Sequence, residues 1–439
     1  MRVLLIQPPY SDKISLGCAR NYSTEARSPL PPLGLLYLAG HLKKNHDVKV
    51  LDMPLSKQSI YQLESTISDF EPDLIGVSVL INSWPVVIDI LNWVKWVHPE
   101  IVTVVGGSNV TQYLTETISH ENVDFAIAGL GQFPLMELCN RLDKDKSGAY
   151  CSFYPSKIDD FEFPDREATP FNEYFVGFCP ENPTTTMISS TGCPFHCAFC
   201  DVHNQQIEIR DADHVVDEME AISRMGIRSI LFNDELFTID PRRVKQICKS
   251  LIERKVKVHW SVKSRIDCIQ SWILELMREA GCFNIHFGIE SGNDFTLDRM
   301  KKGFSVSQIR YAVQAVKDVG MSCTGNFMLG YPGESEEDIL NTIDFAKSLN
   351  LNLSQFSITM DTPNTELFDE AVAFGRRHGD HWREFTRHPE RTDLVEMFSS
   401  ELSREKLFEL LDEAHSNTRT LYNIGVEDGS RRSFYHGNV

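Results

Sequence analysis

The feature that most constrains the fold of this chain is an alternation of short β-branched runs with helix-length amphipathic segments. Two series of this kind follow one another along the 439 residues. Such an alternation predicts parallel strands joined by crossover helices, because a parallel neighbour can be reached only through a long connection. We therefore expect two α/β domains, each with its functional loops at the carboxyl ends of the strands.

The first series predicts a Rossmann-like, doubly wound parallel sheet over residues 1–142. Strands are expected at 3–6, 48–51, 74–79, 101–105 and 125–127, and helices at 33–43, 60–69, 86–97 and 110–119, with a last helix after Phe133. Residues 143–183 are polar and contain several prolines, so they are expected to form a linker between domains.

The second series predicts six βα units over residues 184–360, arranged as a partial (β/α)6 barrel. Strands are expected at 185–189, 229–233, 258–262, 285–289, 323–329 and 355–359, and helices at 215–225, 242–254, 271–280, 307–319 and 338–349. Residues 361–439 are expected to be a small, mainly helical C-terminal region that covers the barrel opening. Its clearest amphipathic segment is 401–415.

Charge and composition exclude several classes of protein. Forty-three basic and 62 acidic side chains give a net charge of −19, so nucleic acid is not expected as a partner. The most apolar stretch, 74–94, is interrupted by Asn82, Pro85 and Asp89, and no integral membrane segment is predicted. The 11 cysteines do not resemble a small disulfide scaffold. We expect a cytoplasmic protein whose thiols are mostly reduced.

Three cysteines lie close together after the first predicted barrel strand, in Cys193-Pro-Phe-His-Cys197-Ala-Phe-Cys200. Thiolates are soft ligands that suit iron–sulfur clusters, and three of them leave one iron of a four-iron cubane open to a small molecule. The alternatives are a zinc ion with His196 or His203 as fourth ligand, and unrelated buried thiols that bind no metal. Structural zinc usually takes two ligand pairs that are a dozen or more residues apart, which is not the spacing found here.

These cysteines, with Phe199 before the last of them, resemble the motif of the radical S-adenosylmethionine enzymes. The resemblance covers about residues 184–360. It implies a [4Fe-4S] cluster on Cys193, Cys197 and Cys200 that reductively cleaves S-adenosyl-L-methionine. It implies no catalytic side chain beyond the residues that hold the cofactors.

Two further strand ends resemble places where this family holds the methionine part of S-adenosylmethionine. Asp234 and Glu235 follow the second barrel strand and would bind the methionyl ammonium. Arg265 follows the third and would bind the methionine carboxylate. The alternatives are a helix cap for the two acids and an exposed ion pair for the arginine.

The fourth and fifth strands end in residues that resemble the family's adenosine-binding edge. Glu290 would accept both ribose hydroxyls, and Asn326 and the turn at 330–334 would lie behind the adenosine. A simple turn before a helix would give the same sequence at 330–334.

The first domain carries small residues at its predicted strand ends. Paired glycines let a bulky ligand approach the backbone, and a serine hydroxyl can bond a buried polar group. These positions resemble the cobalamin-binding fold of the cobalamin-dependent radical subgroup, whose domain order also matches. The residues concerned are Ser78, Leu80, Gly106, Gly107, Gly129 and Gly131.

The first domain also departs from well-known cobalamin methyltransferases. Those proteins have an Asp-x-His-x-x-Gly element after the first strand, whereas this chain has Gln7-Pro-Pro-Tyr10-Ser without a histidine. The departure implies cobalt without a protein imidazole at that site, which favours methyl departure. Gln132 stands where relatives often have glutamate. An empty domain is the alternative, because Rossmann-like sheets bind many ligands.

The two resemblances together imply radical methylation of an unactivated carbon in a small-molecule, lipid, tetrapyrrole or peptide substrate. One S-adenosylmethionine would supply the methyl group through cobalamin, and a second would yield the 5′-deoxyadenosyl radical that removes a substrate hydrogen. A flavodoxin- or ferredoxin-like donor would supply the electrons. The alternatives are a cobalamin-dependent radical cyclase, rearrangement or oxidation enzyme without methyl transfer, and a non-catalytic redox or corrin-sensing binding protein.

Overall fold

The computed structural model describes residues 1–11, 29–57, 63–142, 148–151, 158–202, 207–374, 379–394 and 400–418. Their contacts divide them into two units. The first is drawn from 1–15, 31–171 and 380–396, and the second from 16–30, 172–379 and 397–439. Each unit has a six-stranded, all-parallel main sheet, as the alternation predicts. Within the described ranges, no helix is both long and apolar enough to cross a membrane.

The sheet of the first unit has the strand order β2-β1-β3-β4-β5-β6. Its strands are β1 (Arg2–Gln7), β2 (Asp47–Asp52), β3 (Leu74–Ser78), β4 (Val102–Gly106), β5 (Phe125–Ala128) and β6 (Gly148–Cys151). The order reverses between β1 and β3, which is where a doubly wound sheet opens a crevice for a ligand. β6 lies in the segment expected to be a linker, so the sheet has one strand more than predicted.

Helices cover this sheet at α1 (Leu33–Leu42), α2 (Met53–Ser56), α3 (Leu63–Phe70), α4 (Trp84–Val97), α5 (Ser108–Gln112), α6 (Leu114–Ile118) and α7 (Gln132–Arg141). The core between α1, α7 and the sheet includes Leu36, Phe125 and Leu138, all at most 1% exposed. The helix expected at 110–119 is two short helices, because Tyr113 leaves the helical conformation at φ −127° and ψ 51°. Residues 60–62 of the predicted 60–69 helix lie outside the described residues.

The second unit contains the partial (β/α)6 barrel, and its fold class is confirmed. The sheet order is β14-β13-β12-β11-β10-β7, and the neighbouring strands are parallel. Strand bounds are β7 (Thr184–Met187), β8 (Ser190–Thr191), β9 (Glu208–Ile209), β10 (Ser229–Phe232), β11 (His259–Ser264), β12 (Cys282–Glu290), β13 (Ser322–Leu329) and β14 (Leu353–Ile358). The unpredicted strands β8 and β9 form a short antiparallel pair on either side of the cysteine loop.

The barrel helices are α8 (Ala212–Arg224), α9 (Pro241–Glu253), α10 (Ser271–Glu279), α11 (Asp294–Arg299), α12 (Val306–Asp318), α13 (Glu336–Ser348) and α14 (Glu366–Ala373). Side-chain oxygens cap the amino ends of α8, α9, α12, α13 and α14 by accepting hydrogen bonds from backbone N–H groups that have no partner within the helix. Asp211 and Asp240 cap α8 and α9, and Ser305 and Ser335 form capping boxes at α12 and α13. The short helix α11 was not predicted.

The last two helices belong to different units, α15 (His381–Arg387) to the first and α16 (Arg404–Asn417) to the second. α16 packs beside the edge strand β14, where the His415 ring lies 6.1 Å from the Phe356 ring. A helix in this position covers backbone groups that an edge strand would otherwise expose. The predicted boundaries at 142, 183 and 360 stay predictions, and the structure adds α15 to the first unit.

α15 is joined to the first unit by buried polar contacts. The Trp84 indole, which is fully buried, donates a hydrogen bond to the Thr386 carbonyl oxygen at 2.9 Å. Glu116, 4% exposed, accepts from Arg383 at 2.8 Å and from Arg387 at 3.1 Å. This segment therefore completes the core of a unit whose sheet ends more than 200 residues earlier in the chain.

Candidate active site

The cysteine loop starts at a turn that is braced by a buried carboxylate. Asp234, fully buried after β10, accepts from the Ser189 backbone N–H at 2.7 Å, from the Ser189 hydroxyl at 2.5 Å and from the Ser190 hydroxyl at 2.7 Å. Burial raises the pKa of Asp234, and the serine hydrogen bonds oppose that rise. Asp234 therefore binds the turn between β7 and β8, and neither predicted role, helix cap or ammonium ligand, describes these contacts.

A buried ion pair holds the other end of the loop. The Arg210 and Glu218 side chains are about 2% and 1% exposed and lie 2.6 Å apart. Arg210 also donates to the Ile188 carbonyl oxygen at 2.7 Å, and Arg243 donates to the carbonyl oxygens of Arg210 and Ser189, each at 2.8 Å. These contacts join β9 and α8 to the end of β7, so both ends of the loop are fixed.

The three predicted ligands lie half-buried on this loop as free thiols. Burial raises the pKa of Cys193 and of Cys200, and the Cys197 thiolate raises both further, so the thiols are electrostatically coupled. Among the described residues, no three His, Cys, Asp or Glu side chains converge on a single metal ion. A cubane takes one thiolate per iron, so this donor set fits a cluster better than a zinc ion. His196 is exposed, and His203 lies outside the described residues.

Arg265 is already held by four neighbours. Its guanidinium donates to Cys197 Sγ at 3.3 Å, to both Asp267 carboxylate oxygens at 3.0 and 3.1 Å, and to the Lys302 carbonyl oxygen. The guanidinium carbon lies 3.7 Å from the centre of the Phe195 ring, and the residue is 7% exposed. Arg265 therefore forms a largely buried ion pair with Asp267 instead of an exposed one, and its predicted binding of the methionine carboxylate stays a prediction.

Two charged side chains near these strand ends remain accessible. Glu235 is exposed, and the packing of protein around its carboxyl raises its pKa, as does Asp234, while Lys263 lowers it. Lys263 is exposed near the end of β11, two residues before Arg265. No ion pair of Lys263 occurs within the part of the chain that the structure describes.

Glu290 is held in place by a lysine that the sequence analysis missed. It ends β12 in the left-handed region at φ +70°, and its Oε1 lies 3.2 Å from Lys302 Nζ. Lys302 is 4% exposed, and its ammonium lies 5.6 Å from the centre of the Phe199 ring. One Glu290 oxygen is therefore occupied. The sequence carries no local sign of this pair beyond a lysine 12 residues downstream.

Asn326 shows a polar atom without a partner. It pairs in register with Gly288 on β12 and with Gln355 on β14. Its Oδ1 is buried and accepts no hydrogen bond. A buried acceptor of this kind is costly unless a ligand or water satisfies it, so Asn326 fits a position beside a bound molecule.

The predicted turn at 330–334 is closed by Glu334. Its Oε2 accepts from the Tyr331 backbone N–H at 2.9 Å, whereas its Oε1 is buried without a partner. Burial raises the pKa of Glu334 to about 7. The turn before α13 is therefore fixed by a carboxyl that titrates near neutral pH.

In the first unit, the predicted cobalamin residues lie at one edge of the sheet. They are Ser78, Leu80, Gly106, Gly107, Gly129 and Gly131, at or after the carboxyl ends of β3, β4 and β5. Gly107 has φ +123°, and a Cβ there would come 2.5 Å from the Val79 carbonyl oxygen, so only glycine fits. The Gly129 N–H donates to Thr111 Oγ1 at 2.9 Å.

The same edge exposes apolar side chains. Tyr10, Leu80 and Leu130 follow β1, β3 and β5 and are 59%, 36% and 50% exposed. The Gln132 amide oxygen, at the start of α7, is buried without a hydrogen-bond partner. Exposed apolar groups around an unsatisfied polar atom suit a large, partly apolar ligand such as a corrin.

Comparisons with known proteins find matches for both domains. The B12 binding domain matches residues 20–138 and the Radical SAM superfamily matches residues 187–346. An uncharacterized methyltransferase of Pyrococcus horikoshii is 27% identical over 408 residues, covering 88% of this chain and 86% of that protein. The anaerobic magnesium-protoporphyrin IX monomethyl ester cyclase of Rubrivivax gelatinosus is 27% identical over 398 residues, covering 84% and 70%.

Among solved structures, one similar fold is the radical S-adenosylmethionine methyltransferase TsrM of Kitasatospora setae with cobalamin and a [4Fe-4S] cluster bound. Its TM-score is 0.66 at 16% identity, and the match covers 85% of this chain and 75% of that one. At this identity the likeness establishes the fold.

Replacing Glu334 with Gln should change the pH dependence of stability. The pKa of Glu334 is raised by burial to about 7 from 4.5, so the folded state binds the extra proton and is destabilised as pH rises through that range. A shift of this size corresponds to roughly 3 kcal/mol. We expect the fall in melting temperature between pH 4.5 and 8 that this proton causes in the wild type to be absent from E334Q. The control is E253Q, at an exposed position in α9. Parallel curves for wild type and E334Q would contradict the assignment.

Proposed function

This chain belongs to the cobalamin-dependent radical S-adenosylmethionine enzymes, and we propose that it transfers a methyl group to an unactivated carbon atom of its substrate. One observation carries the proposal. The same chain contains a braced loop with three free thiols and, at the carboxyl ends of β3, β4 and β5, glycines and exposed apolar side chains. The Pyrococcus relative, matched over most of both chains, is described as a methyltransferase.

Cys193, Cys197 and Cys200 would hold the cluster, which supplies the electron that cleaves S-adenosylmethionine. Phe199 packs behind the loop against Met300 and Tyr331. This packing would help to exclude water from one side of the cluster. Because the cofactors carry the chemistry, no side-chain general base is needed.

We propose that two accessible charged side chains bind the methionine part of S-adenosylmethionine. Glu235 would accept hydrogen bonds from the ammonium, and Lys263 would pair with the carboxylate, because Asp234 and Arg265 are held by protein groups. Asn326 would bond the adenosine through its unsatisfied Oδ1. Glu290 would offer the ribose the oxygen that Lys302 does not bind.

The cobalamin site would use Ser78, Leu80, Gly106, Gly107, Gly129 and Gly131. Cobalamin bound there would carry the methyl group. The described residues that follow β1, Pro8 to Ser11, include no histidine, so no imidazole from that segment would ligate cobalt. Tyr10 and Leu130 would instead offer apolar surface.

The reaction consumes electrons, so we propose a flavodoxin- or ferredoxin-like donor protein. A reducing compartment such as the cytoplasm suits a site whose ligands are free thiols. The net charge of −19 does not favour nucleic acid as a partner.

Alanine at Cys193, Cys197 or Cys200 should remove most of the iron and lower 5′-deoxyadenosine release more than tenfold, because each thiolate holds one iron. The measurement is iron content and nucleoside yield after anaerobic reconstitution and reduction with dithionite. C248A, a buried thiol on α9, is the matched control and should keep both values. Unchanged iron and nucleoside release in the three loop variants would refute the cluster assignment.

Valine at Gly106 should lower cobalamin retention more than tenfold while the domain stays folded. A Cβ there would meet only Ile127, at an ordinary 3.5 Å, so the added methyl groups would occupy the sheet edge rather than strain it. Bound corrin is measured by its visible absorption after gel filtration. Gly148→Val, with no atom within 4 Å of its Cβ, is the control. Full corrin occupancy in G106V would place the ligand elsewhere.

Methyl-labelled S-adenosylmethionine should transfer its label to a product in a substrate-containing cell extract, with 5′-deoxyadenosine formed in parallel. C197A serves as the inactive control. A second candidate is radical cyclisation, favoured by the 27% identity to the Rubrivivax cyclase. In that case 5′-deoxyadenosine would form only when the extract is present, but no product would carry the methyl label beyond what the C197A control shows.

A further inference from the structure

We propose that Arg265 is a positioning residue of the cluster, whose N–H donates a hydrogen bond to the sulfur of Cys197 and thereby raises the cluster's reduction potential. The Nη1–Sγ distance is 3.3 Å, within the range of hydrogen bonds to sulfur. The inference rests on the proposed function, since it requires a cluster on Cys197.

The guanidinium has little freedom to point elsewhere. Asp267 binds it through two parallel hydrogen bonds, which fix the plane of the group. The Phe195 ring lies against one face at 3.7 Å, and the Phe304 ring lies 5.3 Å away. The Lys302 carbonyl oxygen accepts from Nη2. Nη1 is thus directed at the loop by contacts from three separate segments of the chain.

Burial makes this contact effective. Arg265 is 7% exposed, so its interaction with a thiolate is weakly screened by water. One-electron reduction takes the cluster from [4Fe-4S]2+ to [4Fe-4S]1+ and adds negative charge to its sulfurs. A donor on a ligand sulfur stabilises this reduced state, and hydrogen bonds to the sulfurs are one of the factors that set cluster potentials.

Because Arg265 pairs with Asp267, the hydrogen bond to Cys197 can be removed without changing the net charge beside the cluster. Arg265 and Asp267 together are neutral, so R265M leaves an extra negative charge, whereas the R265M/D267N double variant has the same net charge as wild type and no donor. R265K keeps a cation but lacks the planar group that Asp267 orients. The control is R254Q, which removes an arginine paired with Asp217 between α8 and α9.

The experiment is an anaerobic redox titration of each reconstituted protein, followed by the electron paramagnetic resonance signal of the reduced cluster. We expect the double variant to have a more negative midpoint potential. At the wild-type midpoint its ratio of reduced to oxidised cluster should be at least tenfold lower than in wild type, and a tenfold change corresponds to 59 mV for one electron. R265K should lie between, and R254Q should match wild type. A double variant that titrates with wild type would overturn the inference.

A second measurement needs no variant to fold. Wild-type protein with guanidino-15N arginine should show coupling from that nitrogen to the reduced cluster in pulsed electron paramagnetic resonance. A cluster signal without this coupling would refute the role of Arg265 and leave the proposed function standing. Failure to assemble any cluster would instead refute the proposed function.

Discussion

A fully buried carboxylate, Asp234, fixes the point from which the cysteine loop leaves the barrel. An unpaired charge in a protein interior costs several kcal/mol, so Asp234 is tolerated only because three donors from Ser189 and Ser190 meet it. The same donors hold the end of β7 to β10 beyond their strand pairing. The position of the thiols thus depends on a polar contact between residues 45 apart in the chain.

Much of the fold was predictable because the spacing of hydrophobic residues and the length of each segment can be read from short stretches of sequence. The six barrel strands and the five predicted barrel helices occur as expected, with ends shifted by a few residues. β6 was missed since its four residues follow directly on the polar run at 143–147, which reads as a linker. The division of the 110–119 helix depends on the backbone of one residue, Tyr113, which no periodicity reveals.

The candidate site was predictable only in part. The cysteine spacing is local, and the comparisons confirm the cofactors it implied. The partners of Asp234, Arg265 and Glu290 are not local, because they come from Ser189, Cys197 and Lys302 on other strands and loops. Their strand-end positions and the family resemblance marked these side chains as ligands. The contacts show which protein groups Asp234 and Arg265 already bind, and they leave Glu235 and Lys263 accessible.

The return of α15 to the first unit makes that unit discontinuous in sequence. Trp84 and Glu116 obtain their polar partners from residues that are synthesised only after the whole barrel. A fragment cut at the end of the sheet would leave the Trp84 indole N–H and the Glu116 carboxylate without these partners, so no single cut separates the two units intact.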